Sequence, residues 1–257
     1  RTKKILSYKK RVHMKNKLVW AFYHLEDKSE KFFTYINFNR LSIKRALSLE
    51  YKCKLITSEF LFKYFNDLDL ELEEFNSTYT HFFDYTKHYI LSNEKEPFIV
   101  IDGDLILNSR LPELNADLIY EKPEVNNWSS MYEKYVNDCS NNDIKDIIPE
   151  WTGKKRLEII NIGLINLLNS ELKELYLDRW SKFRMFIESY NFDNITDYAI
   201  TGSQYLLTEI IDHHKFNAID YRRNSNKNTY KHYLGSAKFN RSFIPKDKLL
   251  VFNDNLL

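Results

Sequence analysis

Asp102-Gly-Asp104 places two carboxylates one residue apart, directly after the apolar run Phe98-Ile-Val-Ile101. Carboxylates so spaced can share one hard divalent cation, which takes oxygen ligands and is itself shared with substrate phosphates. Gly103 between them would let a diphosphate or the metal approach the backbone. The other reading is a polar Asp-Gly turn after a strand. Far down the chain lies His232-Tyr-Leu-Gly-Ser-Ala-Lys238. Its imidazole can add a nitrogen ligand to a carboxylate metal site. Gly235 would allow close backbone approach, and Lys238 would set a point charge on a phosphate; the plain alternative is a surface His and Lys in a loop. Asn161-Ile-Gly163 offers a side-chain amide and bare backbone for a polar pocket, or merely a strand end with a tight turn. Gly202-Ser-Gln204 leads into a helix at Tyr205–Ile211, which Ser203 can simply cap. The chain has only 5 glycines, and these four segments hold all but Gly153. A chain this poor in glycine keeps it preferentially where a side chain has no room.

The elements that must position these groups read as follows. Residues 29–51 carry apolar side chains at helical spacing, with Ser29 and Glu30 to open the helix. Lys54–Thr57 reads as a strand and Ser58–Phe65 as a short helix. Residues 68–75 read as a half-exposed strand or turn, and His81–Ser92 as a helix. Phe98–Ile101 is continuously apolar, as expected of a strand covered on both faces. Strand and helix thus alternate, which predicts an α/β layer with a mainly parallel sheet, its ligand crevice at the carboxyl ends of the strands. Residues 108–150 are rich in Asn, Asp and Ser and include Pro112, Pro123 and Pro149. They read as a mobile loop or lid over donor or acceptor, with an exposed helix at 126–135. Leu157–Ile160 reads as a strand, Glu171–Tyr190 and 203–214 as helices, and Phe216–Tyr221 as a strand. Ile5–Tyr8 is a candidate strand inside the basic N-terminus. The whole, 1–257, reads as one domain. His24, His81 and His88 read as surface or helix-face residues.

The 257 residues carry Lys+Arg 38 against Asp+Glu 36, a net charge of +2. So even a balance argues against nucleic acid as partner, since such proteins carry a strong basic excess. Eight of the basic side chains fall in the first 17 residues with no acid among them. They form a solvated face or, as the alternative, a peripheral contact with anionic lipid or phosphate. No apolar run approaches a membrane span, and no signal-peptide core is visible. Cys53 and Cys139 are too few for a disulfide scaffold or a four-cysteine zinc site, and suit a reducing compartment; the expected location is cytoplasmic.

In this order the motifs resemble those of the GT-A glycosyltransferases, most of all the retaining glycogenin-type and bacterial galactosyltransferase-like members. There a strand runs into Asp-x-Asp, Asn-x-Gly leads into an apolar run, an acidic-Gln pair follows, and His-x-x-Gly-x-x-Lys comes late. Here those are Asp102-Gly-Asp104, Asn161-Ile-Gly163 with Leu164–Leu168, Ser203-Gln204 and His232–Lys238. Ser203 stands where the acid is expected, and Phe239-Asn240 where Pro-Trp often follows, so the resemblance is to a divergent branch. It implies a single Rossmann-like α/β domain, with a mixed, mostly parallel sheet flanked by helices. It implies an enzyme moving a hexose from a nucleoside-diphosphate sugar, UDP favoured over GDP, to a glycan, lipid-linked or protein acceptor, with retention. Asp104 and His232 would ligate Mn²⁺ or Mg²⁺, and Asp102 would bind the metal and the donor ribose. Gly235 and Lys238 would hold the diphosphate. Asn161 and Gly163 would line the donor-sugar or acceptor pocket, and Gln204 would lie near the anomeric carbon. Two other readings stand beside it: a haloacid-dehalogenase-like phosphatase, in which the first Asp is a nucleophile, and a non-catalytic domain that binds glycan or protein.

Overall fold

Leu18, Trp20 and Phe22 point to one side of strand β1 (Lys17–Phe22) and Val19 to the other, and each side meets its own apolar core. A strand buried on both faces needs no polar alternation. The computed structural model describes residues 17–22, 30–75, 85–95, 97–125, 130–190, 192, 195–226 and 228–233. Within them β1 is followed by α1 (Glu30–Ser48), β2 (Lys52–Thr57), a 3-10 turn at Glu59–Tyr64, β3 (Glu71–Glu74), α2 (Tyr85–Asn93) and β4 (Phe98–Ile101). Then come β5 (Leu105–Leu107), β6 (Leu118–Val125), α3 (Ser130–Asn141), β7 (Glu158–Leu167), α4 (Ser170–Ser189), α5 (Ile195–His214), β8 (Ala218–Asp220), α6 (Tyr221–Asn224) and β9 (Tyr230–His232).

Seven strands form one sheet in the order β3-β2-β1-β4-β7-β6-β8. β7 runs antiparallel to both its neighbours, and every other pairing in the sheet is parallel. The expected mixed, mostly parallel Rossmann-like sheet flanked by helices is what forms. One core lies beneath α1, whose Phe32, Ile36, Ile43 and Ala46 recur at helical spacing and pack on Leu18, Trp20, Ile99 and Ile101. The other face is covered by α2, α3, α4 and α5, with Tyr176, Phe183, Tyr205 and Leu206 among its buried side chains. β4 divides its residues between the two: Phe98 and Val100 to one core, Ile99 and Ile101 to the other. A separate antiparallel pair, β5 with β9, stands beside the end of β4.

Three segments differ from the sequence reading. β7 does not stop at Ile160; it continues through Asn161 and Gly163 to Leu167. The apparent breakers are absorbed by an irregularity between Tyr120 and Lys122 of β6, where three residues of β7 oppose one of β6. The polar stretch 108–150 holds interior strand β6 and helix α3, whose Tyr132, Tyr135, Val136 and Cys139 are buried. Its charges mask a strand that neighbours on two sides complete. Ser203 does not cap a helix, because α5 begins at Ile195; Ser203 is fully buried within it and donates to the Ile200 carbonyl. Ile5–Tyr8 lies outside the described residues, as do His24 and His81. His88 is not on a surface: it is buried, stacked 3.7 Å from Trp180 and 2.9 Å from the Tyr176 hydroxyl.

Candidate active site

The end of β4 fixes Asp102. Its amide donates to the Gly163 carbonyl of β7 at 2.8 Å, which holds the backbone at the sheet's carboxyl edge. The chain then turns through Gly103 and Asp104 into β5. A Cβ at 103 would lie 2.0 Å from Asn39 Oδ1 on α1, so a larger residue there would have to displace the buried Asn39 amide. β5 pairs with β9 in a register that sets Leu105 opposite His232, and the Tyr233 amide donates to the Asp104 carbonyl at 3.0 Å. This small second sheet carries a histidine across 128 positions to the two aspartates.

His232 Nε2 lies 3.1 Å from Asp104 Oδ1 and 3.9 Å from Asp102 Oδ2. One ligand atom from each of Asp102, Asp104 and His232 falls within 4.8 Å of the others. Two carboxylates and an imidazole nitrogen are a donor set suited to Mn²⁺, and its oxygens suit Mg²⁺. The residues present therefore fit a divalent cation, as the motif spacing led one to expect.

The electrostatics agree. Burial lifts the Asp102 carboxyl above its ordinary range, and neighbouring Asp104 adds to the lift against the pull of Lys87 and His232. Burial alone would lower the His232 imidazole. Its hydrogen bonds to Asp104 and Glu121 outweigh that and push it up to about 9. Three acids thus converge on one crevice, and a bound cation would relieve their mutual repulsion.

Two members of this cluster carry no signal in the sequence. Lys87 of α2 is buried, pairs with Asp102 Oδ1 at 2.8 Å and donates to the Ile162 carbonyl at 3.2 Å. Glu121 of β6 is fully buried and lies 2.8 Å from His232 Nδ1 through Oε2. Each comes from an element distant in the chain, so only the three-dimensional structure unites them with the aspartates.

A polar chain extends from the cluster. Asn161 Oδ1 accepts from the Gly163 amide at 2.7 Å, and its Nδ2 donates to Glu124 Oε1 at 2.5 Å. The Tyr132 hydroxyl lies 2.7 Å from Glu124 Oε2 and also meets Gln204 Oε1. Gln204 therefore connects to the aspartates through Tyr132, Glu124 and Asn161 rather than by direct contact. Glu124 supplies a carboxylate beside Gln204, where Ser203 supplies none. Gly235 and Lys238 lie outside the described residues.

No protein-family model matches the chain, and no curated protein matches it. Solved structures do. The crystal structure of the glycosyltransferase GlyE of Streptococcus pneumoniae aligns at a TM-score of 0.53 and 13% identity, over 90% of this chain and 57% of that one. The apo form of GlyE aligns at 0.50 and 13%, over 86% and 55%. The chain thus spans somewhat over half the length of those structures. At this identity the likeness is one of fold: the chain has a divergent GT-A fold. Among the described residues, no helix is long and apolar enough to cross a membrane.

Proposed function

We propose that the chain is a metal-dependent glycosyltransferase that moves a hexose from a nucleoside-diphosphate sugar, UDP favoured, to an acceptor hydroxyl with retention. The observation that carries this reading is the convergence of Asp102, Asp104 and His232 within 4.8 Å at the carboxyl edge of a GT-A sheet, where open α/β sheets take their ligands. Asp102, Asp104 and His232 would hold Mn²⁺ or Mg²⁺. Bound there, the ion would supply positive charge to the departing diphosphate. Lys87 keeps Asp102 oriented and offsets part of its charge. Lys238 and Gly235 are assigned to the diphosphate, Asn161 to the donor-sugar or acceptor pocket, and Gln204 to the neighbourhood of the anomeric carbon. A glycan, a lipid-linked saccharide or a protein would serve as acceptor. The cytoplasm is the proposed location, in keeping with the free thiols of Cys53 and Cys139.

A phosphatase would use Asp102 as its nucleophile. Here one oxygen of that carboxylate is held by Lys87 and the group shares its crevice with Asp104 and Glu121. Hydrolysis of a generic aryl phosphate, set against hydrolysis of a nucleotide sugar, separates the two readings.

The test is thermal unfolding with UDP in the presence of Mn²⁺ or of excess EDTA. UDP at one hundred times its Kd should stabilise the fold by about 2.7 kcal/mol with Mn²⁺ only. Equal stabilisation in EDTA would refute the metal-dependent reading. Binding without any donor hydrolysis or transfer would leave a non-catalytic glycan or protein binder.

A further inference from the structure

We infer that Glu121 is a positioning residue: its carboxylate fixes the His232 imidazole so that Nε2 faces Asp102 and Asp104, and Gly163 is the bare position that gives the pair room. The inference rests on the metal-site reading of the three ligands.

Glu121 is fully buried. A buried carboxylate is costly unless it is well paired. Its Oε2 meets His232 Nδ1 at 2.8 Å, but among the described residues its Oε1 has no hydrogen-bond partner, and Lys122 Nζ stands 3.8 Å from it. A carboxylate serving stability alone would be better satisfied. This one is satisfied on the single oxygen that faces the histidine. An imidazole that donates from one nitrogen to a carboxylate presents the lone pair of the other to a metal, with tautomer and ring plane both fixed.

The backbone is shaped for this contact. Tyr120 of β6 pairs with Ile165 of β7, whereas Lys122 pairs with Asn161. Glu121 alone therefore faces Ile162, Gly163 and Leu164. Such irregularities re-aim a side chain. At the centre of the three, a Cβ on Gly163 would lie 2.5 Å from Glu121 Oε2 and 2.6 Å from His232 Cε1. Any larger residue at 163 would have to displace the carboxylate, the ring or both.

The experiment titrates Mn²⁺ into the full chain, following free ion by electron paramagnetic resonance. Bound ion is then examined for nitrogen hyperfine coupling. The parent should bind Mn²⁺ with one imidazole nitrogen; a parent that binds none defeats the metal-site reading itself. Given parent binding, Glu121→Leu should weaken affinity about 10–100-fold and lose the nitrogen coupling, since the aspartates remain but the ring is free to turn. Glu121→Gln still offers an oxygen to Nδ1 and should stay within about three-fold of the parent, with coupling intact. Gly163→Ala should mimic Glu121→Leu by displacing the pair while leaving both polar groups in the sequence, and covers the case that the leucine variant does not fold. Parent affinity and parent coupling in both Glu121→Leu and Gly163→Ala would overturn the proposal.

Discussion

The sheet carries a charge cluster at each end, and the two differ in the cations that hold their acids together: two lysines at one, a lysine and an imidazole at the other. Near the amino ends of the parallel strands, Lys54 contacts Glu71 at 3.1 Å, Glu73 at 2.5 Å and also Glu94, while Lys17 reaches Glu71 at 3.0 Å and Glu94 at 3.2 Å. Each carboxylate has a lysine, and Lys54 is held above its ordinary range because those hydrogen bonds outweigh its burial. At the carboxyl end of β4, Asp102, Asp104 and Glu121 gather around His232, and Lys87 pairs with Asp102. A balanced network stabilises the fold it sits in. A network in which one cation is an imidazole can exchange that proton for a metal, which a lysine network does not offer. The contrast separates a structural ion cluster from a candidate site without reference to any motif.

The largest expected effect lies at the His232 end. Asp104→Asn keeps the shape, leaves an oxygen for His232 and removes a charge. It should cost more than about 100-fold in Mn²⁺ affinity, beyond what loss of a supporting residue costs, and should abolish donor hydrolysis. Its unfolding free energy should stay within about 1 kcal/mol of the parent. A marked fall in stability with metal affinity retained would erase the distinction between the two clusters.

Lys54→Ala tests the same distinction from the other side. It leaves Glu71, Glu73 and Glu94 facing one another with Lys17, and Lys173 near Glu94, to offset them. Breaking a buried pair by removing one partner costs about 3–5 kcal/mol. The lower part of that range applies, because the Glu71 side chain is half-exposed. Denaturant titration reads the loss, and the Mn²⁺ titration should give parent affinity on whatever protein remains folded. Weakened metal binding in the folded fraction would couple the two ends of the sheet and count against the division drawn here.

How much of this was legible in the chain follows from how local each signal is. Asp102 and Asp104 stand next to each other behind a continuous apolar strand, so residue type and position suffice. His232 was marked by its spacing to Gly235 and Lys238, but its route to the aspartates is the β5–β9 pairing, which leaves no local trace in three-residue strands. Lys87 and Glu121 look like ordinary charges on a helix and a strand. Lys87 is set against β7, and Glu121 against β7 and β9, elements remote in the chain. β1 has a local signal in the apolar run Leu18-Val-Trp-Ala-Phe22, just past the basic segment in which Ile5–Tyr8 is the expected strand. β6 was hidden by Glu121, Lys122 and Pro123, which a strand tolerates where its partner is irregular. Gly163 illustrates the limit: composition marked it as a place without room, and only the structure says that an imidazole and a carboxylate take that room.

The smallest effect concerns a third ion cluster, which should behave as the balanced one does. Glu150 accepts from Arg179 Nε at 2.8 Å and Nη2 at 3.1 Å, and lies 3.2 Å from His214 Nε2. It ties the segment before Trp151 to α4 and α5. Burial would raise its carboxyl, but the hydrogen bonds, chiefly from Arg179, bring it from 4.5 down to about 2. A carboxyl depressed in the folded chain favours folding in its ionised form. That contribution is complete above pH 4.5, the ordinary value, and is lost as pH falls toward about 2. Glu150→Gln should therefore be less stable than the parent by about 1–2 kcal/mol at neutral pH, with the difference shrinking between about pH 5 and about pH 3. Chemical denaturation of both proteins across that range reads the two curves directly. Parallel curves would mean that the carboxylate charge adds nothing there and that the shape of the side chain, which glutamine shares, does all the holding. Converging curves would show that this cluster, like the one around Lys54, stabilises through charge that is already paired and has none to offer a cation.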